Sequence, residues 1–155
     1  MPVRPRNETA DDLARENAAK LAVEFAFNCQ LIKLQEMIYS LDWVLFDGNG
    51  KVRAFCEYKY RRNSKGKYKT LLLSSGKWTK AMNLSRELNV PFVMFVEWTD
   101  GIFYSVHNAG EQLLVSVGGN SRGQPGDIEP TVHIPVDRFM ALPVLASSTG
   151  TQAPL

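Results

Sequence analysis

Asp42, Glu57 and Lys59, within the stretch from Asp42 to Arg62, carry the chemistry expected of this chain. Two carboxylates held close together can share a divalent ion, and an amine beside them can act on a water or an anionic reactant. Whether they meet depends on the hairpin between them. Asp47-Gly48-Asn49-Gly50 reads as a tight turn, and a two-residue loop at Gly48-Asn49 sets Asp47 opposite Gly50 and Asp42 opposite Phe55. Side chains alternate along a strand, so in that register Asp42, Phe55, Glu57 and Lys59 share one face. Asp42 and Glu57 are then diagonal neighbours, roughly 7–8 Å apart at their Cα atoms. A three-residue loop would send the two acids to opposite faces.

Charge around this hairpin is uneven. Between Lys51 and Lys69 stand eight Lys or Arg against one acid, Glu57, although the whole chain carries a net charge of only +2. Alone, such a run reads as a solvated polar hairpin. Wrapped around paired carboxylates, it points to a phosphate-bearing partner, and nucleic acid is the expected class. Arg61, Arg62, Lys65, Lys67 and Lys69 follow the acids directly and are the expected phosphate contacts. Tyr58, Tyr60 and Tyr68 interleave with them and offer stacking surfaces, although Tyr is equally a good strand former.

The elements that position these residues follow from periodicity and caps. The chain has 155 residues, 45% hydrophobic and 22% charged, enough for one domain (1–155) with a sizeable core. Thr9 and Asp12 form a capping-box pattern that opens a helix over 10–28, with Leu13, Leu21 and Phe25 on its apolar stripe. Cys29 to Glu36 alternates as a short strand does, with a helix continuing to Tyr39 as the alternative. Strands follow at 41–47 and 51–61, then an exposed loop to Lys69 and an apolar run over 70–73. Ser74 or Ser75 caps a helix over 76–89, with Trp78, Ala81, Met82 and Leu88 inward; Asn89 and Pro91 end it. The run 91–98 is almost continuously apolar, as in a strand buried on both faces. Further strands are expected at 102–107, 113–117 and, at an edge, 131–135, with a loop over 118–130. Residues 1–8 and the tail from Ser147 read as loose ends.

Several chemistries are excluded or weakened. No run approaches the ~20 apolar residues that cross a bilayer, and no signal-peptide core is present, so a cytoplasmic location and no membrane partner are expected. Cys29 and Cys56 give neither a disulfide framework nor metal-ligand spacing. His107 and His133 are distant in sequence, have no third ligand and read as structural. There is no phosphate-binding GxxxxGK[ST] loop and no GxSxG elbow, which argues against an NTPase or an α/β-hydrolase. Trp43, Trp78 and Trp98 are expected in the core.

An acid at a strand start, a Gly-containing hairpin, then Glu57-Tyr58-Lys59 on the next strand resembles the PD-(D/E)XK nuclease superfamily, over about residues 10–107. With the stretch KTLLLSSGKW (69–78), the chain is most similar to small phage or prophage nucleases of that superfamily; Leu41 stands where the signature has Pro. The resemblance implies an α/β, restriction-endonuclease-like αβββαβ core, a mixed central sheet flanked by helices, and extra C-terminal strands. It also implies a Mg²⁺-dependent deoxyribonuclease, with Mn²⁺ able to substitute, that acts as an endonuclease in a bacterial or phage-infected cell. Asp42, Glu57 and the Tyr58 carbonyl would then bind the metal, and Lys59 would orient or deprotonate the attacking water. Many relatives dimerise, which allows a homodimer.

Many relatives also carry a Glu on the first helix, and here Glu16 and Glu24 compete. A strand over 29–36 climbs roughly 23 Å, and about 12 residues of antiparallel helix descend ~18 Å, which brings Glu16 level with the strand end leading to Asp42. Lys77, in the first turn of the second helix, opposes the helix dipole and suggests an anionic partner there. The family places a Lys or Gln facing the site from this helix, and Lys80 lies one turn further on. Two other functions remain: a non-catalytic nucleic-acid-binding scaffold, and a structural protein without nucleic acid.

Overall fold

The computed structural model describes residues 9–34, 41–119 and 128–143. The capping box forms: the Thr9 hydroxyl accepts the Asp12 N–H, and the Asp12 carboxylate accepts the Thr9 N–H. Helix α1 (Ala10–Phe27) starts there and stops where Asn28 turns left-handed at φ 48°. Its buried stripe is Glu16, Ala19, Val23, Ala26 and Phe27. The expected stripe is therefore wrong: Leu13, Leu21 and Phe25 are 41%, 67% and 68% exposed. Alanines on the inner face let the helix lie close to the sheet, while Leu21 and Phe25 stand on the far side of the 3.6-residue turn.

Nine strands follow among the described residues: β1 (Gln30–Lys33), β2 (Trp43–Phe46), β3 (Val52–Tyr60), β4 (Thr70–Ser74), β5 (Phe92–Trp98), β6 (Gly101–His107), β7 (Leu114–Gly119), β8 (Ile128–Pro135) and β9 (Met140–Ala141). Helix α2 (Ser75–Leu88) sits between β4 and β5. The main sheet runs β1-β2-β3-β5-β6-β9, with β3 and β5 parallel and the other pairs antiparallel. The result is an α/β, restriction-endonuclease-like fold with a mixed central sheet. A second sheet, β4-β8-β7, is wholly antiparallel.

Two expectations change here. Pro135 suggests an edge strand, yet β8 is the centre of the small sheet, and Pro135 occupies its last position. β1 is four residues long instead of eight, and residues 35–40 lie outside the described ones. The leader, the tail from Ser147 and much of the 118–130 loop also lie outside them.

Strand alternation divides the core in two. On one face of the main sheet, Trp43, Leu45, Ala54, Cys56, Val93 and Phe95 pack beneath α1. On the other, Val44, Phe55, Phe92, Met94 and Val96 pack against Trp78, Ala81 and Met82 of α2 and against β4 and β8. β5 is buried on both faces, as its apolar run requires. Trp43, Trp78 and Trp98 are all buried, whereas Leu88, expected inward, is 55% exposed because the helix ends at it and Ser85 takes the inner position. Among the described residues no helix is long and apolar enough to cross a membrane.

His107 is fully buried at the end of β6, against Trp78 and Phe92, with Ser105 and Glu111 on its two ring nitrogens. Glu111 is already paired with Arg138, so burial dominates and pushes the imidazole down to about 4. The unfolded chain takes up a proton below its ordinary value of 6.5, while the folded chain stays neutral until about 4. Stability is therefore intact above pH 6.5 and is lost as pH falls towards 4, by about 3 kcal/mol. His107→Gln, followed by denaturant unfolding at several pH values, is expected to flatten that part of the profile. An unchanged slope between pH 6.5 and 4 would remove His107 from the acid response.

Candidate active site

The hairpin that carries Asp42 and Glu57 differs from expectation in two ways that cancel. Its loop has three residues, not two: the Asp47 N–H donates to the Lys51 carbonyl (3.0 Å), and Gly50 at φ +75° takes the left-handed position. The Asp47 carboxylate accepts the N–H groups of Asn49 (2.9 Å) and Lys51 (3.0 Å), which fixes that loop. A three-residue loop alone would separate the acids. One step later the register shifts, because Phe46 pairs with Val52 while Leu45 pairs with Ala54. Arg53 is the extra residue of a β-bulge. The ladder then runs Val44–Phe55 and Trp43–Cys56, and one more step sets Asp42 level with Glu57. The acids share a face as direct neighbours instead of diagonal ones.

Alternation from this register aims Glu57 and Lys59 to the α2 side of β3, and Cys56 and Tyr58 to the α1 side. A cleft of about 700 Å³ forms around the strand end, lined by Asp42, Glu57, Tyr58, Lys59, Tyr60, Arg61 and Arg62 from the hairpin. Helix α1 contributes Asp12, Arg15 and Glu16, and helix α2 contributes Lys77. Every residue expected to act at the site thus lines one cavity. Of the expected phosphate contacts, Arg61 and Arg62 line it, whereas Lys65, Lys67, Lys69 and Lys80 do not.

Glu57 is the most constrained member. It is 1% exposed, and its Oε1 accepts the Lys77 ammonium, while Oε2 is buried with no hydrogen-bond partner among the described residues. Burial, then the nearby Asp42 carboxylate, pushes its pKa up to about 7 against the pull of Lys77 and Lys59. The anion that explains Lys77 in the first turn of α2 is therefore this carboxylate. Asp42 is also buried and accepts the Tyr58 N–H at 2.9 Å. Lys59 has no hydrogen bond or ion pair to any described residue; burial pushes its pKa down, and Lys77 and Arg61 push the same way against Glu57 and Asp42.

Glu16 is buried, and its Oε1 accepts the Lys33 ammonium (2.7 Å) and the Trp43 indole N–H (3.1 Å). Glu24 instead accepts the Leu31 N–H at 3.1 Å and ties the helix end to β1, outside the cleft. Arg15 is a cleft residue that the sequence reading misses. Its guanidinium lies 3.9 Å from the centre of the Tyr60 ring, and its position next to Glu16, one residue from the inner stripe, is the available signal. Tyr58 stacks on Trp43 with centroids 5.5 Å apart and donates its hydroxyl to Glu97, so its ring is wall, not a free stacking surface.

A divalent cation can be tested against these donors. The buried, unpartnered Glu57 Oε2 is an anionic acceptor that lacks a donor, beside a second carboxylate, and that fits a hard cation. Among the described residues no three His, Cys, Asp or Glu gather closely enough to hold an ion. Two carboxylates are a donor set that Mg²⁺ accepts, since it commonly takes one or two and completes its shell with water and phosphate.

The chain matches the family model described as "Phage putative PDDEXK endonuclease" over residues 2–142. No curated protein and no solved structure matches it.

Glu57 also sets a stability response. Below pH 4.5 the carboxyl is protonated in the folded and unfolded states alike. As pH rises, the unfolded chain ionises first and the folded chain holds its proton to about 7, so the cost grows through that window and is full above it. Glu57→Gln, without divalent ions, is expected to be more stable than the parent by about 3 kcal/mol above pH 7 and equal to it below pH 4.5. Denaturant unfolding across pH reads this directly; an offset independent of pH would assign the effect to packing instead.

Proposed function

The chain belongs to this phage PD-(D/E)XK endonuclease family, and we propose that it is a metal-dependent nuclease that hydrolyses phosphodiester bonds within DNA. The observation that carries the reading is the buried Asp42–Glu57 pair, with one unpartnered oxygen, in a cleft whose walls supply Lys59, Arg61, Arg62 and Arg15. Asp42, Glu57 and the Tyr58 carbonyl would hold Mg²⁺ or Mn²⁺. Such an ion, when bound, makes a water more acidic and neutralises charge on the phosphate.

The protein's own groups divide the remaining work. Lys59, depressed by burial and without an ion pair among the described residues, takes a proton from the attacking water. As an ammonium, it then faces the charge that grows on the phosphate oxygens. Arg61 and Arg62 hold the phosphate backbone where the strand leaves the cleft, and Arg15 faces them from α1. Lys77 keeps Glu57 oriented by its ion pair. Glu16 assists from the cleft wall, where its carboxylate holds Lys33 and the Trp43 indole.

The test is cleavage of linear DNA in Mg²⁺ or Mn²⁺ by purified Asp42→Ala and Lys59→Ala variants. Each is expected to lose at least about 10²-fold in rate, while circular dichroism and thermal unfolding show a folded chain. Undiminished metal-dependent cleavage by both variants would sink the assignment.

A further inference from the structure

A second cavity, of about 370 Å³, adjoins the cleft and shares one wall residue with it, Arg61. Its other lining includes Lys65, Tyr68, Leu72, Trp98 and His133. The two cavities differ in character. The first is lined by acids, lysines and arginines; the second turns apolar just past Arg61. Tyr68 is 58% exposed amid basic and polar neighbours, and Leu72, on the outer face of β4, is 47% exposed. The His133 ring is held by Thr70 at Nδ1 (3.1 Å) and by Ser116 at Nε2, so it lines the cavity as a fixed ring.

Arg61 links the two. Its backbone is fixed by the N–H bond to the Glu97 carbonyl (2.9 Å), and its Nη1 donates to the Tyr60 carbonyl (3.2 Å). No carboxylate among the described residues pairs with it. A half-buried guanidinium without a counter-ion is matched by phosphate oxygens, which its planar donors bind two at a time. The ligand that fits both observations carries an anionic link at Arg61 and a flat, largely apolar group beyond it. The cavity lies within the usual range of small-ligand sites, roughly 300–1,000 Å³.

We infer that this second cavity receives an unpaired nucleobase of the strand that occupies the catalytic cleft, stacked on Tyr68, with the adjoining phosphate on Arg61. The inference rests on the nuclease reading and narrows its substrate class. A base inside a duplex has both faces stacked and cannot enter a side cavity without being extruded. The preferred substrate therefore has unpaired nucleotides beside the scissile bond: a single strand, a flap or a branch.

The test is binding in EDTA, where cleavage is not needed, by fluorescence anisotropy at fixed salt. Three labelled probes of equal length are used: a single-stranded oligodeoxynucleotide, the same backbone with abasic residues, and a duplex. Tyr68→Ala is expected to weaken the base-bearing single strand by about tenfold, in the range of base–aromatic stacking, and to leave the other two probes within about twofold. Tyr68→Phe, which keeps the ring, is expected to bind like the parent. Equal weakening of all three probes, or of none, would overturn the nucleobase site. If Tyr68→Ala binds normally while Lys59→Ala still abolishes cleavage, the nuclease reading stands and this cavity is not part of it. Base-selective, Tyr68-dependent binding by a protein that cleaves nothing would uphold the nucleobase site and overturn the nuclease reading.

Discussion

The cleft depends on a count of residues in one hairpin. Because side chains alternate, a change of one residue between two acids moves one of them through the sheet to the opposite face. The three-residue loop at 48–50 makes such a change, and the bulge at Arg53 makes it again, so Asp42 and Glu57 return to the same side. Asp47 stands between the two irregularities: its carboxylate accepts two loop N–H groups and lies 3.9 Å from the Arg53 Nε. One half-buried aspartate thus touches both departures from regular pairing. Bulges near active sites commonly re-aim a side chain in this way.

Once the two acids share a face, burial makes their charge the next constraint. Glu57 is nearly inaccessible to water and sits beside a like charge, an arrangement tolerable only with cations close by. Lys77 meets that need from α2, and Lys59 from two residues further along the same strand. Helix α2 is thereby tied to the sheet by more than Trp78, Ala81 and Met82. The Ser74 hydroxyl accepts the Lys77 N–H at 3.3 Å, so the cap of the helix and the counter-ion of the buried acid belong to one turn. A cation that is unfavourable for an isolated helix becomes favourable when a buried carboxylate lies in front of it.

Much of this was legible in the sequence where a local signal had one meaning. The Thr9–Asp12 box, the stop at Asn89, and the doubly buried β5 each follow from residues whose preferences are set within a few positions. Glu16 does line the cleft, but the strand used to place it there proved half as long as the estimate needed. What could not be read was non-local. Nothing in Asn49-Gly50-Lys51 announces that Arg53 will bulge. Three of the five inner residues of α1 are Glu16, Ala19 and Ala26, which carry little hydrophobic signal, while Leu21 and Phe25 carry a great deal and face outward. Pro135 marks a strand end, not a sheet edge, and that distinction depends on β4 and β7 arriving from elsewhere in the chain.

The end of β3 also separates two kinds of work. Residues 57 to 60 lie in a strand held on one side by parallel pairing to β5, with Tyr58 stacked on Trp43 and hydrogen-bonded to Glu97. Side chains on such a strand are placed as accurately as the sheet itself, which suits groups proposed to act on a bond. Beyond Tyr60 the chain leaves the sheet, and residues 61 to 69 carry five Lys or Arg with Tyr68 among them. A loop tolerates the variation that a partner surface demands, whereas a strand does not. Arg61 is the first residue past this boundary, still bonded to the Glu97 carbonyl of β5 and already lining both cavities. Its position puts the proposed chemistry and the proposed recognition one residue apart along the chain.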